Sequence, residues 1–230
     1  IDSEGVITPI QIQNHASAYE EDDVANLEHD EDRASFNSLV HVVSDTYALA
    51  YTSHGKDGFI STFTIDSNGN IAAVKTQSEG NNLEHDETKG IHNSLVQVDS
   101  DTIALAYTGF DANGFISTFT ISSDGSSIVE VDTLEHDIFN GQYNSLVQVD
   151  SDTYALAYAG TNDDGFISTF TIDSEGVITP IQIQNHANTD TVDDVANVEH
   201  DRHRGIHNSL VQVDSDTYAL AYEGLDRDGF

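Results

Sequence analysis

Between residues 144 and 184 the apolar positions fall into four short runs of period two. In Thr153–Gly160, Tyr154, Leu156 and Tyr158 share one side, and Ala155, Ala157 and Ala159 share the other. Strict alternation of this kind predicts a strand. The run Ser145–Val149 precedes it, separated by the turn signal Asp150-Ser151-Asp152. Asp164-Gly165 predicts a type I′ hairpin into a third strand, Phe166–Asp173, with Phe166, Phe170 and Ile172 opposing Ile167, Thr169 and Thr171. Glu175-Gly176 turns the chain into a fourth strand, Val177–Gln184. Pro9 and Pro180 lie in two copies of that strand, and proline lacks the N–H that a central strand needs, so the fourth strand is the outer edge.

The pattern repeats. Asn144-Ser-Leu-Val-Gln-Val-Asp-Ser-Asp-Thr-Tyr-Ala-Leu-Ala-Tyr158 recurs with few changes from Asn37, Asn93 and Asn208, each time preceded by Glu-His-Asp. The histidines of the triplet, His29, His85, His136 and His200, are 56, 51 and 64 residues apart. Units of this size are expected for propeller blades. Residues 1–59 also align without gaps on 172–230, and Ile1–Ala16 is identical to Ile172–Ala187, as a duplicated block would be.

A lone four-stranded meander with apolar groups on both faces cannot cover them. Packing the bulky face of one sheet on the alanine face of the next, repeated radially, gives an all-β fold, a β-propeller of four-stranded antiparallel blades. The repeat resembles blades of the β-propeller superfamily over nearly the whole chain. The likeness is to WD40-like four-stranded blades without the Trp-Asp signature, since the chain has no tryptophan. The expectation is one repeat domain over residues 1–230, with about four blades near 36–77, 92–133, 143–187 and 207–230 combined with 1–16. Joining the two ends leaves Ile-Ser-Thr-Phe-Thr of one third strand missing. A segment of a longer array is the favoured reading, ahead of an imperfectly closed ring.

Charge narrows the function. Seven Lys+Arg against 41 Asp+Glu, a net charge of −34, leave no basic footprint for nucleic acid and no attraction to an anionic membrane. No apolar run approaches the ~20 residues of a membrane helix, so membrane insertion is not expected. The absence of cysteine excludes disulfides, thiolate metal sites and a cysteine nucleophile.

Three motifs carry candidate chemistry. First, the Glu-His-Asp triplets read as connections from the outer strand of one blade to the inner strand of the next. His29, His85, His136 and His200 with Asp30, Asp86, Asp137 and Asp201 then ring one face. Histidine with carboxylate suits a divalent ion. Recurrence in every repeat favours instead a brace, the histidine bonding within its own blade, much as the WD40 histidine does in similar blades. Second, the loops Asp111-Ala-Asn113-Gly, Asn162-Asp-Asp164-Gly and Asp226-Arg-Asp228-Gly resemble half of a calcium loop. They make Asp111, Asn113, Asp164, Asp226 and Asp228 candidate Ca2+ ligands, although the distal glutamate of an EF-hand is missing. Ordinary hairpins account for the same residues. Third, Asn37, Asn93, Asn144 and Asn208 start the inner strands, where they line a channel or cap the strand. The residue before each varies among Phe36, His92, Tyr143 and His207, as a ligand-facing ring would.

No unique nucleophile, base and orienter stand apart from the repeat. The expected function is therefore a non-catalytic extracellular or cell-surface repeat module with a structural, adhesive or assembly role. Its expected partners are copies of itself or neighbouring repeats of a longer chain. The alternative is a propeller lectin or enzyme that binds a small ligand, a carbohydrate or a cation in the axial channel.

Overall fold

The computed structural model describes residues 29–30, 34–73, 82–181 and 198–230. Pro9 and the completion of the fourth blade by residues 1–16 lie outside them. Among the described residues every regular element longer than a single 3-10 turn is a strand.

Blade one comprises β1 (Ser35–Val43), β2 (Thr46–Thr52), β3 (Gly58–Ile65), β4 (Ile71–Ala73) and β5 (Asn82–Asp86). Blade two comprises β6 (Ile91–Gln97), β7 (Thr102–Thr108), β8 (Gly114–Ile121) and β9 (Ile128–Asp137). Blade three comprises β10 (Gln142–Gln148), β11 (Thr153–Ala159), β12 (Gly165–Ile172), β13 (Ile178–Pro180) and β14 (Val198–Asp201). Blade four is described as β15 (Ile206–Asp214) and β16 (Thr217–Glu223). Each sheet is an antiparallel meander from inner to outer strand.

The outer strand differs from the sequence expectation. In blade two it is one ten-residue strand, β9, and Glu135-His136-Asp137 is its closing half, paired with Gly114 and Phe115. In blades one and three the same edge is built from two pieces. β4 and β5 both pair with β3, and β13 and β14 both pair with β12. The triplets at 84–86, 135–137 and 199–201 therefore belong to the sheet edge and are not connections between blades. Pro180 sits on this edge, as its missing N–H requires.

Blades pack as the alternation demands. Ala104, Ala106 and Ile116 of blade two receive Leu146, Tyr154, Leu156, Tyr158, Phe166, Phe170 and Ile172 of blade three. Ala48 and Ala50 of blade one receive Leu95, Ile103, Leu105 and Phe119 of blade two. Small side chains on one face let the facing sheet approach, and each fully buried Leu or Phe contributes about 1.5–3 kcal/mol.

Polar side chains staple the same junctions. Thr62 Oγ1 donates to the Gly125 carbonyl at 2.7 Å, and Thr118 Oγ1 to the Gly176 carbonyl at 2.6 Å. Gly125 and Gly176 have φ of +71° and +83°, so these turns need glycine, as Glu175-Gly176 predicts.

Candidate functional site

The hairpin between second and third strands sets the geometry of one face. In blade three, Asp164 N–H donates to the Thr161 carbonyl, and the two residues between, Asn162 and Asp163, have φ of 62° and 66°. This is the type I′ pattern, displaced from the expected Asp164-Gly165. The glycine serves packing. A Cβ on Gly165 would fall within 3 Å of the His200 ring, and one on Gly205 would fall within 3 Å of Gly165 Cα. Gly58 meets His85 and Gly90 in the same way, and Gly114 meets His136 and Gly141. Sequence reasoning missed these partner glycines, although each stands five residues after its histidine.

His85, His136 and His200 thus each lie over a glycine of their own blade. The edge of each ring then packs on a tyrosine of the next blade. Ring centroids are 4.6 Å apart for His85–Tyr107, 4.7 Å for His136–Tyr158 and 4.6 Å for His200–Tyr222, and His29 meets Tyr51 at 4.8 Å. The tyrosines in turn stack on Phe115, Phe166 and Phe230. The nitrogens of His85 and His200 are buried without hydrogen-bond partners, so this contact is made by ring packing and not by the hydrogen bond expected of a brace. Burial holds His85 at about 4 and lowers His200, while the adjacent Asp86 and Asp201 charges act in the opposite sense.

The triplet aspartates close the corners. Asp86 Oδ1 accepts the N–H groups of Thr88 and Lys89, and Asp201 Oδ1 those of His203 and Arg204, each at 2.8–3.0 Å. Asp137 does the same for Phe139 and Asn140. Asp30 is described without a strand around it.

The candidate calcium residues stay on separate loops. Asp111 and Asp226 occupy left-handed turn positions, and Asp228 follows the last turn. Asn113 donates to Glu135 Oε1 at 2.6 Å. At the equivalent place in blade three, Asp164 faces Glu199. Burial, then that neighbouring charge, pushes Asp164 up to about 6. Among the described residues no three His, Asp or Glu side chains converge on one point.

The inner strands carry a second junction. Asn93 donates to the carbonyls of Gly90 and Phe36, Asn144 to those of Gly141 and His92, and Asn208 to those of Gly205 and Tyr143. Asn37 is exposed at the start of β1. The following serines accept across the junction: Ser38, Ser94 and Ser145 each take the N–H of Leu95, Leu146 and Leu210 at 2.9 Å. Thr52 and Thr108 hydroxyls donate to the carbonyls of Gly90 and Gly141. Asn-Ser is thus a strand-to-strand clamp, with side-chain oxygens and nitrogens meeting backbone groups that would otherwise be unpaired. The residues before the asparagines come together in one row: Phe36–His92 at 4.6 Å, His92–Tyr143 at 4.3 Å and Tyr143–His207 at 4.5 Å between ring centroids.

No family model and no curated protein matches the chain. Solved structures do. Sqt1 of Saccharomyces cerevisiae superposes with a TM-score of 0.51 at 10% identity, over 86% of this chain and 44% of that one. The periplasmic gluconolactonase PpgL of Pseudomonas aeruginosa gives 0.48 at 15% identity, over 83% and 47%. A NanB sialidase variant from Streptococcus pneumoniae gives 0.48 at 10%, over 80% and 27%. The chain spans less than half the length of these proteins. The neighbours are propeller-type folds, and among the described residues the sheets are blades of that type in an unclosed series.

Proposed function

We propose that the chain is a non-catalytic repeat module with a structural, adhesive or assembly role outside the cell or on its surface. One observation carries this reading: the side chains that recur in every repeat and have chemistry to offer are engaged in holding blade to blade. The histidines pack between glycine and tyrosine, the Asn-Ser pairs bond to the neighbouring inner strand, and the threonines bond to glycine carbonyls. Repeat arrays draw their stability from such nearest-neighbour contacts. A net charge of −34 keeps the outer surface hydrated and mutually repulsive, which suits salty surroundings and cation-mediated contact between copies.

The test has two arms. Light scattering of the purified chain in sodium chloride and in calcium chloride of equal ionic strength reads assembly, with calcium-promoted association expected. Assays on lactone, sialoside and xylan substrates read catalysis, with no turnover expected. Turnover abolished by a single substitution overturns the reading, and so does a chain that stays monomeric in both salts.

A further inference from the structure

In a chain of near-copies, one inner-strand position changes chemistry from blade to blade while its surroundings stay fixed. Phe36, His92, Tyr143 and His207 all have φ between 51° and 55°. Bulky side chains seldom adopt this left-handed conformation. Each sits where the inner strand carries one extra residue against its partner, between Ser35 and Ser38, Ile91 and Ser94, Gln142 and Ser145, and Ile206 and Ser209. Such bulges turn a side chain out of the strand's alternation. The pairing on either side is the same for all four residues, so the sheet itself asks for no aromatic ring there. The rings nevertheless meet in one continuous row, centroid to centroid at 4.3–4.6 Å.

The row is open to solvent. Phe36 is 45% exposed, His207 is exposed, and His92 and Tyr143 are half-buried. The Tyr143 hydroxyl bonds to no described group. His92 engages Thr108 through Nδ1 only. His207 Nε2 is 3.9 Å from Glu223.

We propose that the row Phe36–His92–Tyr143–His207 binds a neutral saccharide, one sugar ring lying across the aromatic strip. The rings pack on one another at interplanar angles of 75°, 32° and 62°, and their solvent-exposed carbons supply apolar contact for the C–H groups of a pyranose. A phenol and a neutral imidazole each both donate and accept, which matches sugar hydroxyls. The His92 imidazole is held neutral by burial and by the Lys89 and His207 charges, down to about 4. An anionic ligand is opposed by the charge of −34, whereas a neutral one meets no such repulsion. The site is independent of the structural role proposed above: Asn93, Asn144 and Asn208 reach across the same junctions to the backbone carbonyls of Phe36, His92 and Tyr143, which a changed side chain keeps.

Maltose, cellobiose, mannobiose and diacetylchitobiose at millimolar concentration are the probes, read by saturation-transfer NMR and by the imidazole signals of the full chain. At least one sugar is expected to shift His92 and His207 while leaving the buried His85 and His200 unmoved. Tyr143→Gly removes the ring and leaves a residue that favours φ near 54°. It is expected to weaken that binding at least roughly tenfold with an unchanged or raised melting temperature. The proposal falls if none of the four sugars binds. It falls equally if Tyr143→Gly binds as well as the parent, or if that variant melts several degrees lower, which would make the row a packing element. Tetramethylammonium displacing the sugar from the same signals also overturns it, because the strip would then be a cation site.

Discussion

Strands β11 and β16 share the sequence Thr-Tyr-Ala-Leu-Ala-Tyr and differ in their surroundings. In β11, Tyr154, Leu156, Ala157 and Tyr158 are fully buried. In β16, Tyr218, Leu220 and Tyr222 are half-buried, and Ala219 and Ala221 are exposed. Each blade carries two interfaces, a bulky face that covers the blade before and an alanine face that waits for the blade after. In β16 only the first is made among the described residues: Tyr218 and Leu220 cover Ala155 and Ala157. The burial of a strand here is a property of its neighbours as much as of its sequence.

The largest effect expected from this contrast is in the core. Leu156→Ala leaves a cavity between blades two and three and is expected to lower unfolding free energy by about 2–5 kcal/mol. The equivalent residue Leu220 is only half-buried, so Leu220→Ala is expected to cost less than half as much. Denaturant titration of both variants checks the order. Equal losses would mean that the two blades are covered alike.

Acid acts next, through the junction histidines. His85 is depressed from 6.5 to about 4, so its neutral ring is the form the fold accommodates. The stabilisation is fully present above pH 6.5 and is lost as pH falls through 4, on the order of 3 kcal/mol at 1.4 kcal/mol per unit. Carboxylate protonation relieves self-repulsion in the lower part of this window and opposes the loss. The melting temperature is expected to begin falling below pH 6.5, with the His85 imidazole signal titrating near 4. A midpoint near 6.5 would mean that the ring is not buried at the junction.

The glycines offer a matched pair at smaller cost. An added methyl at Gly165 meets the His200 ring, whereas one at Gly229 meets nothing within 4 Å. Gly165→Ala is expected to destabilise by about 1–3 kcal/mol through overpacking, and Gly229→Ala to be near neutral. Similar values for the two would remove the histidine–glycine contact from the junction.

These elements were not equally legible in the sequence. The contrast of Tyr154, Leu156 and Tyr158 against alanines sets the face, the neighbour and the packing, because period two leaves one solution for a two-faced sheet. The outer strand was harder. Ile-Val-Glu-Val-Asp-Thr-Leu-Glu-His-Asp is a polar edge that pairs on one side only, and edges carry charge that looks like loop. Asp164-Gly165 had the composition of a turn, but its glycine answers to a ring and a backbone brought from elsewhere, and local sequence does not contain that contact. The variation among Phe36, His92, Tyr143 and His207 was visible at once. That these rings touch depends on four bulges, which are events of register and leave no mark in composition.

The smallest effect separates blade two from blade three at one hairpin. Asn113 donates to Glu135 in blade two, whereas in blade three Asp164 faces Glu199 carboxylate to carboxylate, with Arg202 3.5 Å from Glu199 and the His203 charge only partly offsetting the repulsion. A carboxyl pushed up to about 6 is favoured in its protonated form, so the folded state binds that proton more tightly than the unfolded chain. Its contribution is present below the ordinary value of 3.8 and is lost as pH rises through 6, leaving an unfavourable carboxylate pair at neutral pH. Asp164→Asn imports the blade-two arrangement and supplies one hydrogen bond to Glu199. It is expected to stabilise the chain by about 1 kcal/mol at pH 7.5, with the gain shrinking as pH falls below 6. The reciprocal change, Asn113→Asp, should cost a similar amount and create a second pH-dependent junction. Melting curves of both variants at pH 7.5 and pH 5 decide it. If Asp164→Asn stabilises equally at the two values, the carboxylates do not interact, and the two hairpins differ in sequence without differing in energy.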